Sequence, residues 1–135
     1  MPRSPRDVRA SLLRQKLRQL DGERVRCLAR LLDARDLFAA SLSVVYRTCG
    51  KPSCSCARGA PHGPYYFLSI QSRGRNERYH VARDDADRME PGIAKYRAFV
   101  ADLRQLRSLD RRIETLARRL QRLCETLSIR SFTTS

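Results

Sequence analysis

Cys49-Gly-Lys-Pro-Ser-Cys-Ser-Cys-Ala-Arg-Gly-Ala-Pro-His-Gly-Pro-Tyr-Tyr-Phe-Leu-Ser-Ile-Gln71 is the stretch on which the reading of this chain turns. Its first half sets Cys49, Cys54, Cys56 and His62 among glycines and prolines. Zinc takes thiolate and imidazole ligands in a tetrahedron, and a loop rich in Gly and Pro can fold around such a point. The spacing therefore predicts a structural metal, with zinc the expected ion. A small meander has a poor core, so about 10 kcal/mol of apparent metal binding would decide whether it folds. Two other readings stay open. The cysteines can be small, buried, apolar residues, or an iron–sulfur cluster can be completed by a cysteine of a second chain. A Cys/His nucleophile also needs a base and an oxyanion site, and no such constellation is in view, so no catalytic residue is assigned.

The second half, Tyr65 to Gln71, is the best strand in the chain. Ser43 to Thr48 before it is β-branched and aromatic, and Glu77 to Arg83 after it alternates beyond the Gly-containing turn Ser72 to Asn76. These segments predict a three-stranded antiparallel meander whose first connection carries the metal ligands.

Helices flank it. Ser4 can cap, Pro5 suits a first helical position and Asp7 a first turn. Leu13, Leu17, Leu20, Cys27, Leu31, Ala34 and Phe38 then recur at helical steps, predicting one helix to about Ala40 with a break at Asp21-Gly22. Beyond the caps offered by Asp84, Asp85 and Asp87, and the disturbance of Pro91-Gly92, a heptad row is read. It runs through Tyr96, Phe99, Leu103, Leu106, Asp110, Ile113, Ala117, Leu120, Cys124 and Leu127, with Leu109, Leu116 and Leu123 beside it. The expected fold is α+β: a long N-terminal helix (1–42), a Cys/His-rich basic β-meander module (43–83), a long C-terminal helix (84–128) and a frayed tail (129–135). The two helices are expected to pair as an antiparallel, coiled-coil-like hairpin, with a homodimer through them as an easy extension. Cys27 and Cys124 lie on the apolar stripes and are read as packing.

Charge points to the partner. Among 135 residues, 28 Lys and Arg face 14 Asp and Glu, a formal charge of +14. Such a balance suits a polyanion, whose counterions are released on binding. From Val44 to Arg83 there are seven basic residues and one acid, Glu77. Arg47, Lys51, Arg58, Arg73, Arg75 and Arg78, with Tyr65 as a stacking surface, are the candidate nucleic-acid contacts, DNA being the expected target. A β ribbon can enter a major groove, and aromatics can stack unpaired bases. Arginines on the outer faces of the helices, such as Arg111, Arg112, Arg118 and Arg119, are read as solvated surface. The competing reading is a helical interaction protein whose charge serves solubility. A nuclease is disfavoured, because Asp84, Asp85 and Asp87 are the sole acidic cluster near the module and two-metal chemistry wants several carboxylates. No apolar run suits a signal peptide or a membrane span, and a cytoplasmic setting is expected.

The motif from Cys49 to Gly59, followed by His62-Gly-Pro-Tyr-Tyr-Phe-Leu-Ser69, resembles the signature of a family of small uncharacterised bacterial proteins often encoded near mobile-element genes. The resemblance spans roughly Leu37 to Leu109. It implies the metal loop and a bacterial setting, and no activity. Where that family has a Gly-Lys-Thr-Arg-like turn and a Tyr-Val-Pro strand end, this chain has Gly74-Arg75-Asn76-Glu77 and His80-Val81-Ala82. The module also looks loosely like the three-stranded arm-binding domains of tyrosine recombinases, which would imply DNA binding.

Overall fold

The first helix begins as its first residues predict. In the computed structural model, which describes residues 2–125, the Ser4 hydroxyl accepts from the Asp7 backbone N–H and the Asp7 carboxylate accepts from Ser4 N–H, a reciprocal capping box, with Pro5 opening the helix. Helix α1, Pro5–Leu32, runs through Asp21-Gly22 without a break. It stops well short of the expected Ala40. Asp33 caps it, and Asp36 takes a left-handed φ of 54°. Phe38 and Ala40 then serve a different core, with the Phe38 N–H donating to the Gly92 carbonyl at 3.0 Å.

Strands β1 (Ser41–Arg47), β2 (His62–Ser72) and β3 (Arg75–Val81) follow, then helix α2 (Arg83–Cys124). The architecture is α+β, as expected, and Pro91 is carried inside α2. The tail expected at 129–135, and the helix end at 126–128, lie outside the described residues. The chain forms two compact units: α1 with α2 from Ala101 onward, and the segment Ala34–Val100.

In the helical unit the two helices run antiparallel. Arg30 pairs with Asp102 at 2.9 Å and Arg24 with Asp110 at 2.6 Å, while the Arg6 guanidinium donates to the carbonyls of Leu123 and Glu125. The core is Leu20, Cys27 and Leu109, flanked by Leu106, Ile113 and Leu116. This corrects the expected heptad row. Asp110, Ala117 and Cys124 are exposed, and the neighbouring row of Leu109, Leu116 and Leu123 turns inward. A buried, unpaired carboxylate is costly, so the helix presents its leucines and leaves Asp110 at the rim to meet Arg24.

In the β unit the strand order is β1-β2-β3, both pairings antiparallel. A two-residue turn, Arg73-Gly74, joins β2 to β3 with both residues at positive φ, as the right-handed twist of a tight hairpin demands. One face packs Leu42, Leu68 and Ile70 against Ala40, Met89 and Ile93. Gly92 permits this: a Cβ there would stand 3.0 Å from Phe38 Cβ. The opposite face carries Ser43, Val45, Tyr65, Phe67, Arg78 and His80, the alternate residues of the same register.

Gly63, where β2 leaves the cysteine loop, sits at φ +136°, and a Cβ on it would lie 2.9 Å from both the Val45 carbonyl and the Tyr46 ring. Gly63→Ala is expected to destabilise the chain by about 2–4 kcal/mol, from strain and overpacking together. A lowered denaturant midpoint with unchanged slope would show it, and an unchanged midpoint would contradict it.

Candidate metal centre

Register delivers the ligands to one point. β1 shifts register between Val45 and Arg47, so that Arg47 faces His62 across the ladder. Such an irregularity bends a strand and re-aims the residues beyond it, Cys49 among them. Cys54 and Cys56 are fixed by a short 3₁₀ turn, Ser55–Ala57, closed by Cys54 N–H to the Lys51 carbonyl and Ala57 N–H to the Cys54 carbonyl, each 3.1 Å. His62 is the first residue of β2.

The four donor atoms of Cys49, Cys54, Cys56 and His62 all lie within 4.8 Å of one another. Cys49 Sγ is 3.4 Å from Cys56 Sγ, and Cys54 Sγ is 3.2 Å from His62 Nε2. Arms of about 2.3 Å put the corners of a tetrahedral zinc–thiolate site roughly 3.8 Å apart, which is the scale of this cluster. The Cys49 and Cys56 sulfurs stand beyond bonding distance, and all five cysteines are free thiols. The residues fit a metal ion of thiolate-and-imidazole preference. Among the described residues no other group of three or more His, Cys, Asp or Glu donors converges. Asp84 and Asp85 form the first turn of α2, and Asp85 is engaged by Arg88.

Protonation follows from the same geometry. The Cys54 thiol is drawn down to about 6, first by the Cys56 backbone N–H and then by the Cys56 and Cys49 side chains. Cys49 is lowered as well, chiefly by the Lys51 backbone N–H and next by His62. Cys56 is buried, 4% exposed. The Cys49 N–H pulls its thiol down, but burial and the neighbouring thiols outweigh that and leave it raised. His62 is raised by hydrogen bonds to Cys49 first and Cys54 second. A cation entering the cluster must expel protons from Cys56 and His62, so its affinity falls as pH falls.

Beside this cluster the open face of the sheet forms a cleft of about 390 Å³ lined by Arg47, Thr48, Tyr65, Phe67 and His80 together with Cys49 and His62. Phe67 is its centre. The Arg78 and Arg47 guanidiniums lie 4.2 and 5.3 Å from its ring centroid, and the His80 ring meets it edge-on at 5.3 Å. Arg47, Tyr65 and Arg78 are thus gathered on one surface. Lys51 and Arg58 lie on the cysteine loop, while Arg73 lies in the far hairpin turn and Arg75 just after it, roughly 35 Å along β2 from His62 at about 3.4 Å per residue. The seven residues named from sequence are therefore spread along the sheet, with Arg73 and Arg75 at the turn, Arg47, Lys51 and Arg58 toward the cysteine loop, and Tyr65 and Arg78 between them. Charge does not single out Phe67 and His80, although strand alternation puts Phe67 on the face of Tyr65 and opposite that of Leu68, which is buried.

No helix among the described residues is long and apolar enough to cross a membrane. No curated protein and no solved structure matches the chain. Residues 12–91, more than half of it, match the family model described as Domain of unknown function (DUF6788). That span takes in most of α1, the entire metal loop and all three strands, and the chain accordingly belongs to the DUF6788 family.

Proposed function

We propose that this protein binds DNA through the open face of its β module, with a structural zinc ion held by Cys49, Cys54, Cys56 and His62. The carrying observation is the stack of Arg47 and Arg78 on Phe67. Each guanidinium rests on the ring and keeps its donors free at the edge. Arginine held this way loses less freedom on gripping a phosphate. The two guanidiniums lie 5.3 and 4.2 Å from one ring centroid, so a backbone crossing that ring meets both. Tyr65 and His80 extend the aromatic surface. Zinc is favoured over iron by the mixed Cys₃His donor set, which is frequent in structural zinc sites. The bacterial resemblance supports a role as a regulator or accessory factor of a mobile element.

The test is fluorescence anisotropy of a labelled duplex titrated with zinc-loaded chain across a salt series. Affinity should fall steeply, with a slope of about −0.9 in log–log form for each phosphate contacted. Absence of binding at about 50 mM salt would reject the reading and leave self-association of the helical unit, where Val8, Leu12, Val25 and Leu32 are exposed, as the better account.

A further inference from the structure

The helical unit has a second cationic feature, independent of the sheet. Lys16 of α1 and Arg111, Arg112 and Arg119 of α2 surround a hollow of about 350 Å³, completed by Thr115 and Leu116. On α2 these residues fall at steps of one, four, five and eight, which is one face of a helix over two turns. Lys16 supplies the facing wall.

The hollow has cations and no counter-charge. Among the described residues, no carboxylate lies in ion-pair contact with any of the four. The carboxylates of this stretch are committed elsewhere: Asp102 to Arg30, Asp110 to Arg24 and Glu114 to Arg118. The Thr115 hydroxyl donates to the Arg111 carbonyl at 2.9 Å, so the donors facing the hollow are those of the four cations. Lys16 spends one proton on Gln19 at 3.3 Å and keeps two. Leu116 packs on the Leu20–Cys27–Leu109 core, which gives the hollow a fixed floor. Like charges brought together without acids repel, and an arrangement of three planar forks and one ammonium is matched by oxygens of adjacent phosphoryl groups. A single carboxylate would neutralise one charge of four.

We infer that this hollow is a binding site for an anion with two or more adjacent phosphoryl groups, supplied either by a free oligophosphate or by a nucleic-acid backbone. The site is built by the helix pair alone and does not depend on the β-face reading.

The experiment uses the full, metal-loaded chain and inorganic triphosphate as the probe, followed by titration calorimetry at about 0.1 M salt, where loose surface attraction is screened. Three proteins are compared: wild type, the hollow variant Arg112→Gln/Arg119→Gln, and the control Arg104→Gln/Arg107→Gln, which removes the same charge from α2 outside the hollow. Triphosphate is expected to bind wild type and control alike, and the hollow variant about tenfold or more weaker, as two charge-assisted contacts are lost. Equal loss in both variants would reduce the effect to net charge and overturn the proposal, as would absence of triphosphate binding to wild type. Thermal unfolding of each variant guards against misfolding, since relieving repulsion between exposed cations should leave the midpoint unchanged or higher. Duplex DNA then separates the sources. A DNA salt slope reduced by about two in the hollow variant alone identifies a backbone contact, and an unchanged slope identifies a free oligophosphate.

Discussion

Stripping the metal with a chelator, or replacing Cys56 by Ser, is expected to unfold the β module. The wild-type chain should carry about one zinc and the variant none. The reason lies in how little else holds this unit. Its buried apolar residues are Ala40, Cys56, Leu68, Ala86 and Ile93, all but Cys56 on the helix side of the sheet. The connection between β1 and β2 has a single 3₁₀ turn for regular structure. Structural zinc contributes on the order of 10 kcal/mol of apparent binding, as much as the whole net stability of a typical domain at about 5–15 kcal/mol. Amide exchange read by mass spectrometry, alongside metal content, would report the loss strand by strand. Cys124→Ser, at an exposed thiol far along the chain from the cluster, should keep its metal and its protection. Full strand protection in the metal-free protein would mean that the four donors are packing residues. Acidification should act in the same direction as the chelator. The lowered Cys54 thiol, at about 6, stabilises the fold above its ordinary unfolded value near 8.5, and that contribution is lost as pH falls through 6.

The second large effect is expected at the open face. Arg47→Glu/Arg78→Glu should weaken duplex binding by about 100-fold at physiological salt and flatten the salt slope by about two, because two phosphate contacts become repulsions. Phe67→Ala separates modes of binding. Duplex affinity should fall modestly as the two arginines lose the ring that holds them, and if unpaired bases stack there, single-strand affinity should drop further, by about 1–3 kcal/mol. The turn variant Arg73→Glu/Arg75→Glu is the counter-test. Should it abolish duplex binding while the face variant does not, the hairpin tip would be the reading element, entering a groove as a ribbon, and the open-face assignment would be wrong.

Much of this molecule is legible from local pattern. The Ser4 cap, the strand from Tyr65 to Gln71 and the punctuated Cys–His loop each express a short-range rule, and each appears in the structure where expected. The features that local pattern misses are set by distant partners. The end of α1 is decided by Phe38 and Ala40 joining Ile93 and Met89 far along the chain, so helical periodicity overshoots. Two adjacent apolar rows on α2 leave its rotation open, and only the facing Leu20 and Cys27 choose Leu109 over Asp110. Charge alone selects the candidate contacts, and it reveals neither that β2 separates Arg73 from Arg47 by most of its length nor that Phe67 sits under two guanidiniums.

The two borders of the sheet are unequal. Among the described residues β1 and β3 are both outer strands. β3 begins Arg75-Asn-Glu-Arg78 and is charged from its first residue, a common guard against pairing with a second chain. β1 reads Ser-Leu-Ser-Val-Val-Tyr before its first charge at Arg47, and Val44 and Tyr46 are more than half exposed. A short, uncharged, β-branched edge of this kind is a template for intermolecular sheet growth. Aggregation of this protein should therefore start along β1, and a lysine placed at Val44, on the outer border, is the substitution that would improve its solubility.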